Sequence, residues 1–510
     1  MQPVVDTVTG RVRGAFDGGV AVFRGIPYAA PPVGDLRFRP PRHPAPWDDV
    51  RDATVPGPTP PAPPPSPDPA LRPLLPDRRV PGDDYLNLDV WTPDPGPGAG
   101  GLPVMVWIPG DGFHRGSGAG AGPGFGPTSV TDGAALAREG VVAVAIHHRV
   151  GAEGFALIDG GTPNVGLLDQ IHALEWVRDN IERFGGDPRK VTVFGHSSGA
   201  MSAVTLMAVP RARGLFRRVI AQSGAGHHAI RSGDARRVAA HLARRAGVRA
   251  ASAAVLSRLP AARLLDAQAS IADEFTGGPD PAVWGERLSH PAALPFAPVV
   301  DGELVTRRPV DGLRAGDGAE VDLLIGTTSE EFRRYAVPAG THRSGAEKDL
   351  ADAVARLGLE AKAAAVYTAE HPGGPGEAHT ALLGDAYFRI PAYRVLEARS
   401  RVGVRAYGYE FAWRSPGFGG ELGACHGVEL PFLFDTLPRA GELVGDAPPE
   451  RLSGEIRSAW VRFARTGDPG WAPWNPVSRP VWRFADPESS LVEDPGAETR
   501  RLWDAVPATR

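Results

Sequence analysis

Short apolar runs alternate with segments of helical spacing along most of the chain. Apolar residues at helical spacing occupy 134–138, 168–184 and 452–464. Runs rich in β-branched and aromatic residues have the length of buried strands; they lie at 86–91, 102–108, 141–146, 191–194, 219–222, 321–325 and 406–413. Strands and helices in alternation predict βαβ units, and hence an α/β fold with a large, mostly parallel central sheet flanked by helices.

Two longer helical segments interrupt the order of strands. They lie at about 227–318 and about 335–403, and much of their sequence is rich in Ala, Arg and Leu. Inserted helices of this kind commonly form the walls and lid of a pocket. We therefore expect these two segments to line a binding site.

Other parts of the chain predict less regular structure. Short β-type runs at 4–5, 20–23 and 26–28 predict a small N-terminal antiparallel sheet. Prolines dominate 56–81, which excludes a helix or a central strand and predicts a surface loop. Beyond residue 464 the chain is rich in Pro, Trp and Gly, and it is predicted to be a loop.

Composition narrows the classes of function. The 510 residues are enough for one large domain or two, and a net charge of −4 provides no basic surface for nucleic acid or for an anionic membrane. The single cysteine, Cys425, excludes an intramolecular disulfide. The first residues lack a secretion signal, and no apolar run reaches the roughly 18 residues of a membrane span. We expect a cytoplasmic protein that does not bind membranes, and the sequence is compatible with a monomer without determining the oligomeric state.

A candidate nucleophile lies at 195–199, where the chain reads GHSSG between a strand and a helix. This is the G-x-S-x-G nucleophile elbow, a sharp strand-to-helix turn that holds its serine in a strained conformation. The pentapeptide alone is also typical of an ordinary Gly/Ser turn. The flanking strand and helix favour the catalytic interpretation, with Ser197 as the nucleophile.

A serine nucleophile needs a base to accept its proton and a carboxylate to orient that base. In a parallel sheet, both partners should lie on loops after the carboxyl ends of later strands. Glu330 and Glu331 follow the run at 321–325, and His426 follows the run at 406–413. Separately, they would be read as solvated charges and a structural histidine. The order Ser, acid, His is that of α/β-hydrolases and favours a catalytic triad.

No other motif predicts a cofactor or a metal. The glycine-rich run 116–121 resembles a dinucleotide fingerprint, but no strand runs directly into it and no helix opens on it. The remaining histidines, including the pairs at 147–148 and 227–228, lack ligand spacing such as H-E-x-x-H. We expect no cofactor, no metal and no nucleic-acid partner.

Many motifs in order along the chain resemble those of one family. They are FRGIPYA at 23–29, PPVG at 31–34, LDVWTP at 88–93, NVGLLDQ at 164–170, FGGDP at 184–188, GHSSG at 195–199, QSG at 222–224 and GACHGVE at 423–429. The chain thereby resembles the type B carboxylesterases, which include bacterial p-nitrobenzyl esterases and the cholinesterases. The resemblance implies a single α/β-hydrolase domain over 1–510 and a small-molecule ester as substrate.

The resemblance also implies roles for the site residues. Ser197 would be the nucleophile, Glu331 the acid and His426 the base, with Glu330 at a neighbouring acidic position. The family hydrolyses carboxylic esters through an acyl-enzyme, without a metal or an organic cofactor. His196, which precedes the nucleophile, is commonly Glu in the family, and we interpret it as a structural residue beneath the elbow.

The chain departs from the family in the loop that holds the oxyanion. It reads PGDGF at 109–113 where the family usually has HGGGF. By the resemblance, the main-chain N–H groups of Asp111, Gly112 and Ser198 would form the oxyanion hole. A carboxylate about 5 Å from the oxyanion would repel it by roughly 3 kcal/mol at an effective dielectric constant of about 20. The alternatives are that the Asp111 side chain points away, pairs with Arg115, or stays protonated.

Three functions remain open at this stage. The leading one is a serine hydrolase that cleaves an ester or lactone of a neutral, hydrophobic substrate. Asp111 motivates a second, in which the same triad performs acyl transfer, cyclisation or elimination on a specialised metabolite. The third is a catalytically silent binding module, against which the complete set of triad residues argues.

Overall fold

The structure is a computed structural model that describes residues 2–62, 79–96, 101–114, 130–276 and 278–507. The predictions about Arg115, about the glycine-rich run 116–121 and about 63–78 of the proline-rich loop lie outside the described residues.

Strands and helices alternate along the described chain. The strands are β1 (Val4–Asp6), β2 (Arg11–Arg13), β3 (Ala15–Asp17), β4 (Val20–Pro27), β5 (Arg51–Asp52), β6 (Asn87–Thr92), β7 (Leu102–Ile108), β8 (Val142–Ile146), β9 (Gly186–His196), β10 (Arg218–Gln222), β11 (Ile230–Arg231), β12 (Val299–Val300), β13 (Asp322–Thr328), β14 (Ala406–Phe411), β15 (Pro480–Phe484) and β16 (Ser490–Glu493). The helices are α1 (Ala134–Arg138), α2 (Gly151–Phe155), α3 (Val165–Asn180), α4 (Ser198–Met207), α5 (Ser232–Arg245), α6 (Ala253–Leu256), α7 (Ala261–Thr276), α8 (Pro281–Trp284), α9 (Pro309–Arg314), α10 (Arg333–Ala336), α11 (Thr341–Ser344), α12 (Glu347–Arg356), α13 (Lys362–Glu370), α14 (Pro375–Gly384), α15 (Ile390–Arg401), α16 (Leu430–Leu433), α17 (Gly441–Val444), α18 (Glu450–Thr466) and α19 (Ala497–Leu502).

Within the described residues, eleven strands form one large sheet with a parallel centre. Their spatial order is β16-β15-β14-β13-β10-β9-β7-β8-β6-β4-β3. Neighbours from β15 to β8 in this order are parallel, and the remaining pairs at the two sides of the sheet are antiparallel. The central strands are buried along most of their length, as expected when helices cover both faces. The predicted mostly parallel central sheet is confirmed.

The register of the parallel strands places four residues side by side near one edge of the sheet. His196 pairs with Gln222, Gln222 pairs with Gly326, and Gly326 pairs with Tyr409. Each of these residues lies at or near the carboxyl end of its strand. The loops that follow β9, β13 and β14 therefore emerge together, at the edge where open α/β sheets bind ligands.

The small N-terminal sheet is present, but two of the three predicted runs lie elsewhere. β1 and β2 pair antiparallel, and β5 joins β2 in the parallel sense. The runs expected in this sheet at 20–23 and 26–28 instead fall in β4, which pairs with β3 and β6 in the large sheet. Because β4 is buried along nearly its whole length, it requires the large core on both faces.

The prediction of a loop after residue 464 was wrong in part. β15 and β16 lie in this segment, where β15 continues the parallel sheet and β16 closes it in an antiparallel pair. β15 begins at Pro480, and the first residue of a strand is one of the positions that tolerate proline. β16 is an edge strand and largely exposed, so it lacks the apolar alternation that marks a strand in sequence.

Both predicted insertions contain helices. The segment 227–318 holds α5 to α9 together with the short β11–β12 pair, and the segment 335–403 holds α11 to α15. A π-helical turn, Asp385–Arg389, joins α14 to α15 and carries aromatic side chains toward the carboxyl edge of the sheet. Across the described ranges, no helix is both long enough and apolar enough to cross a membrane.

Candidate active site

The predicted nucleophile, Ser197, lies on the sharp turn between β9 and α4. Its φ of 56° and ψ of −126° form a combination that L-residues rarely adopt. The N–H of Ser197 donates to the carbonyl oxygen of Gln222 over 2.8 Å, and its own carbonyl oxygen accepts the N–H of Met201 over 2.9 Å. These bonds hold a backbone strain of about 1–3 kcal/mol, of the kind that concentrates at functional sites.

The two glycines of the elbow are required by close approach of the backbone. A Cβ atom on Gly199 would lie 2.1 Å from the carbonyl oxygen of Ile108, and a Cβ atom on Gly195 would lie 2.6 Å from the carbonyl carbon of Gly199. β7, β9 and α4 therefore leave no space for a side chain at either position. This packing is the physical reason for the G-x-S-x-G pattern at the turn.

His426 and Glu331 are joined by a short hydrogen bond. Nδ1 of His426 and Oε2 of Glu331 are 2.6 Å apart, and both side chains are buried. The other carboxylate oxygen, Oε1, accepts the N–H of Thr328 over 2.9 Å. With Nδ1 as the donor to this fixed carboxylate, Nε2 of the imidazole keeps its lone pair for a proton.

Contact with His196 brings this pair to the elbow. The ring of His426 packs on the ring of His196 with centroids 4.3 Å apart, and His196 directly precedes Ser197. The structure therefore brings the predicted nucleophile, base and acid to the same edge of the sheet. Glu331 follows β13 and His426 follows β14, as expected for the partners of a nucleophile in a parallel sheet.

Glu330, the neighbouring acid, has different partners. Its carboxylate forms an ion pair with Arg333 and accepts the N–H of Ala424 over 2.9 Å. The N–H of Glu330 also donates to the carbonyl oxygen of Ala424 over 3.0 Å. Glu330 thus fastens the loop that carries His426, whereas Glu331 contacts the imidazole itself.

Burial controls the charges of the imidazole and its carboxylate. Burial lowers the pKa of His426 to about 3, an effect that the charge of Arg334 reinforces and that of Asp111 opposes. The imidazole is therefore neutral at pH 7 and able to accept a proton. Burial also raises the pKa of Glu331 to about 7, against the hydrogen bond from the main-chain N–H of Thr328. The exclusion of water that causes both shifts also strengthens the hydrogen bond between the two groups.

The loop predicted to hold the oxyanion packs on the elbow. The N–H of Asp111 donates to Oγ of Ser198 over 3.0 Å, so this donor is already engaged. The φ of Asp111 is 143° and that of Gly112 is 64°, both in the range that favours glycine. A Cβ atom on Gly110 would lie 2.0 Å from the carbonyl oxygen of His196, which shows how closely the loop approaches the elbow.

The carboxylate of Asp111 lies within electrostatic reach of the site. Asp111 is exposed, and its charge acts to raise the pKa of His426 and of Tyr335, in His426 against the larger effect of burial. Its proposed partner, Arg115, is outside the described residues. The charge of Asp111 therefore favours the protonated form of His426, the predicted base.

Aromatic side chains form a wall beside His426. The ring centroids of Phe388 and Tyr335 lie 4.5 Å and 5.9 Å from that of His426. Behind them, Phe332 packs on Tyr387 with centroids 5.4 Å apart. Three of these four residues come from the segment 335–403, which was predicted to line the pocket.

Sequence reasoning missed Glu429. This residue is fully buried, and its Oε1 accepts a hydrogen bond from Nε2 of Gln222 over 3.3 Å and lies 3.8 Å from Nε2 of His196. Its place in the same short motif as His426 was the available signal. His196 does lie buried beneath the elbow, as expected, but it also contacts the ring of His426.

The remaining chemistry of the site is limited. In the part of the chain that the structure describes, no group of three or more His, Cys, Asp or Glu side chains is arranged to hold a metal ion. Cys425 is buried next to His426, and burial raises the pKa of its thiol to about 12. The thiol is therefore protonated at neutral pH and is not a competing nucleophile.

Comparisons with known proteins agree with this architecture. The model of the carboxylesterase family matches residues 1–498. The chain is 36% identical over 517 residues to a phenmedipham hydrolase of Pseudarthrobacter oxydans, covering 98% of this chain and 97% of the relative. It is 33% identical over 516 residues to a para-nitrobenzyl esterase of Bacillus subtilis, covering 98% of each. A solved carboxylesterase of Geobacillus stearothermophilus superposes with a TM-score of 0.82 at 32% identity, covering 98% of this chain and 99% of that one.

These matches extend over nearly the whole of each compared chain, so they concern the complete architecture and not an isolated motif. The resemblance inferred from the sequence and the predicted α/β-hydrolase fold are both confirmed. The chain therefore belongs to the carboxylesterase family and is a carboxylic-ester hydrolase.

Proposed function

We propose that this enzyme cleaves an ester or lactone of a neutral, hydrophobic substrate through an acyl-enzyme formed on Ser197. The observation that carries the proposal is the 2.6 Å hydrogen bond between Nδ1 of His426 and Oε2 of Glu331, beside the strained elbow. A serine, an imidazole and a buried carboxylate in this order are the groups that acyl transfer requires.

Acylation begins when Oγ of Ser197 attacks the carbonyl carbon of the ester and Nε2 of His426 accepts the hydroxyl proton. The carbonyl π electrons move to its oxygen and give a tetrahedral oxyanion. Glu331 stabilises the imidazolium through the Nδ1–H donor. Collapse of the oxyanion breaks the bond to the alcohol oxygen, which leaves with the proton from His426, and the acyl group stays on Ser197.

Deacylation repeats these steps with water. His426 accepts a proton from a water molecule while the water oxygen attacks the acyl carbon. Collapse of the second oxyanion breaks the bond to Oγ of Ser197, which takes the proton back, and the carboxylic acid is released. Neither step calls for a metal or an organic cofactor.

The main-chain N–H groups of Asp111, Gly112 and Ser198 hold the oxyanion in this proposal. The packing of the 109–113 loop on the elbow supports the assignment, because it keeps these groups close to Ser197. One donor of this type is worth about 100–1000-fold in kcat. The N–H of Asp111 must be shared between Oγ of Ser198 and the oxyanion, so its contribution is smaller than that of a free donor.

The aromatic wall supports a hydrophobic substrate. Phe388 and Tyr335 beside His426 present ring faces and edges that favour apolar or aromatic groups. Two relatives are named for their substrates, phenmedipham and para-nitrobenzyl esters. A para-nitrobenzyl ester is therefore our choice of first substrate for this chain.

A second candidate function keeps the same triad but redirects the acyl group to transfer, cyclisation or elimination. The hydrogen bond from Asp111 to Ser198 favours it, because that bond engages one of the donors on which rapid hydrolysis depends. Hydrolysis in water enriched in oxygen-18 separates the two. The leading proposal requires one labelled oxygen in the released acid, whereas product formed without label supports the alternative.

The nucleophile is tested with a fluorophosphonate that forms a covalent bond to an activated serine, followed by peptide mapping. We expect one adduct, on Ser197, and none in Ser197→Ala. Folded enzyme without an adduct at Ser197 contradicts both functions.

We also propose that residues 1–510 form a single domain, which the continuous sheet from β3 to β16 supports. The cytoplasmic location and the compatibility with a monomer stay predictions from the sequence.

A further inference from the structure

A second imidazole–carboxylate pair, His196 and Glu429, lies next to the first. The rings of His196 and His426 are packed with their planes at 44°. Glu331 bonds one ring, and Glu429 lies 3.8 Å from Nε2 of the other. The proposed reaction uses only the pair of His426 and Glu331, so the second pair has no role assigned to it.

Two polar atoms of this second pair are buried without a hydrogen bond to any described residue: Nε2 of His196 and Oε2 of Glu429. Buried polar atoms without partners are rare in native proteins, and each one calls for an explanation. With the ring proton of His196 on Nδ1, Nε2 is an acceptor, as is each oxygen of an ionised carboxylate. A proton on Oε1 of Glu429, the oxygen that lies 3.8 Å from Nε2, supplies a donor, and closure of that gap by about 1 Å makes an ordinary hydrogen bond.

The surroundings of Glu429 favour that proton. Its Oε1 accepts from Gln222, and Oε1 of Gln222 accepts in turn from Nε1 of Trp460 over 3.2 Å, so the amide is oriented as a donor. Burial and the nearby charge of Glu331 raise the pKa of Glu429 to about 8. The acid form therefore predominates at pH 7.

The other described titratable groups near the pair have no hydrogen bond to Nε2 of His196 or to Oε2 of Glu429. Burial raises the pKa of Tyr409 well above its usual value and that of Cys425 to about 12, so both stay protonated and neutral. Burial, and after it the charges of His426 and Arg334, lowers the pKa of His196 well below its usual value. The ring of His196 therefore stays neutral beside the acid.

We infer that Glu429 is protonated at neutral pH and donates a hydrogen bond to Nε2 of His196, and that this neutral pair holds the ring of His196 against His426. His196 is thus a positioning residue that acts through His426, and Glu429 acts through His196. The inference rests on the proposed role of His426 as the base.

The arrangement has a consequence for the dependence of activity on pH. Loss of the proton from Glu429 removes the donor and frees the ring of His196, which lets the ring of His426 move away from its position beside Ser197. A misplacement of a catalytic group by about 1 Å costs up to about 100-fold in rate. Activity therefore declines above about pH 8, as Glu429 ionises.

The test measures the rate at which a fluorophosphonate labels Ser197 as a function of pH, which reports the serine and its base without requiring ester turnover. We expect the wild-type rate to decline above about pH 8. Glu429→Gln keeps an N–H donor at every pH, so it should label within about threefold of wild type at neutral pH and lose the decline. Glu429→Met has no donor and should label about tenfold more slowly, with kcat on an ester reduced and KM unchanged.

A matched control is Glu421→Gln. Glu421 bonds Nε2 of His342 over 3.1 Å, so this variant also neutralises a glutamate beside a buried imidazole, but the partners of its carboxylate are His342 and Arg343 and not His196 or His426. Its labelling profile should match that of wild type. The folded fraction of each variant is measured by circular dichroism, and all rates are expressed per labelled site.

Two outcomes overturn the inference: an alkaline decline in Glu429→Gln equal to that of wild type, or wild-type labelling by a folded Glu429→Met at every pH. If the methionine variant does not fold, the profile of the glutamine variant decides alone. Wild-type enzyme that fails to label at Ser197 refutes the proposed function on which the inference rests. If wild type and all variants label Ser197 with the same pH profile, the inference about Glu429 fails while the proposed function stands.

Discussion

The main-chain N–H of Asp111 donates to the side-chain oxygen of Ser198 over 3.0 Å, which ties the 109–113 loop to the first residue of α4. The same N–H is one of the donors that we assign to the oxyanion. The carboxylate of Asp111 also acts on His426, whose pKa it raises against the larger effect of burial. Asp111 therefore affects the oxyanion and the base in opposite directions, since its charge repels the first and stabilises the protonated form of the second.

Replacing Asp111 with glycine is expected to raise kcat/KM on short p-nitrophenyl esters by about tenfold, because repulsion of the oxyanion outweighs the help to the imidazolium. Glycine also adopts the φ of 143° without strain. Asp111→Asn is the matched variant, which removes the charge and keeps the side chain. Slower turnover in both variants would show that stabilisation of the imidazolium is the larger effect.

Replacing Glu331 with glutamine is expected to lower kcat by about three to four orders of magnitude, because the amide disturbs the tautomer of His426 and cannot balance its charge. The measurement is kcat on a p-nitrophenyl ester, normalised to labelled sites. Glu330→Gln is the control: it weakens partly exposed ion pairs, so we expect kcat within about threefold and a loss of stability within about 1 kcal/mol. Equal losses of kcat in the two variants would contradict the assignment of Glu331 as the acid.

Four buried histidines are expected to make the fold less stable in acid. Burial lowers the pKa of His147 and His228 to about 4, and with charges nearby lowers that of His148 and His426 to about 3. In the unfolded chain each titrates near 6.5, so below that pH the unfolded state binds protons that the folded state excludes. Their contribution to stability is present above about pH 6.5 and falls by up to about 1.4 kcal/mol per histidine for each pH unit below it.

Urea unfolding at about pH 7 and about pH 5.5 measures this effect as a difference in the free energy of unfolding. His148→Asn should reduce that difference by the share of one titrating histidine. Glu331 and Glu429 act in the opposite direction, because their raised pKa values make the folded state bind protons between about pH 4.5 and 8. This contribution of the two glutamates is the same in the variant and in wild type, so it cancels when the two proteins are compared. An unchanged difference in His148→Asn would mean that His148 does not titrate as a buried neutral group.

The pair of Arg149 and Asp169 is expected to be essential for stability. Both side chains are fully buried, and two hydrogen bonds of 2.7 Å and 2.8 Å join the guanidinium to the carboxylate. Arg149→Met leaves a buried charge without its partner, so the free energy of unfolding should fall by about 3–5 kcal/mol. Arg178→Met breaks an exposed pair with Asp179 and should change it by less than about 1 kcal/mol. Urea titration of both variants is the measurement, and similar losses in the two would contradict the difference expected from burial.

Local patterns predicted most of the large sheet. The run at 102–108 coincides with β7, and the helical spacing at 134–138 coincides with α1. A strand that is buried on both faces needs a continuous apolar run, and such a run is visible without any knowledge of its neighbours. The same reasoning assigned 20–23 and 26–28 to the wrong sheet and missed β15 and β16, because the choice of partner strand and the exposure of an edge depend on the rest of the fold.

The elbow was predicted for a similar reason. The strain at Ser197 and the close approach of the backbone at Gly199 arise within one turn, so five residues suffice to specify them. The two acids at 330 and 331 were not separated by their local sequence. The family resemblance implied Glu331 as the acid, and the contacts across the fold give the physical difference: Glu330 binds arginine and main-chain groups, whereas Glu331 lies against His426.

The sequence by itself therefore determined the order of most elements, the elbow and the set of candidate site residues, because these follow from short-range spacing and ordered motifs. The tertiary structure alone decided that the N–H of Asp111 is engaged by Ser198 and that Glu429 lies near His196. These relationships join residues far apart in the chain, and they exist only because the register of β9, β10, β13 and β14 brings the loops after them together in a buried space.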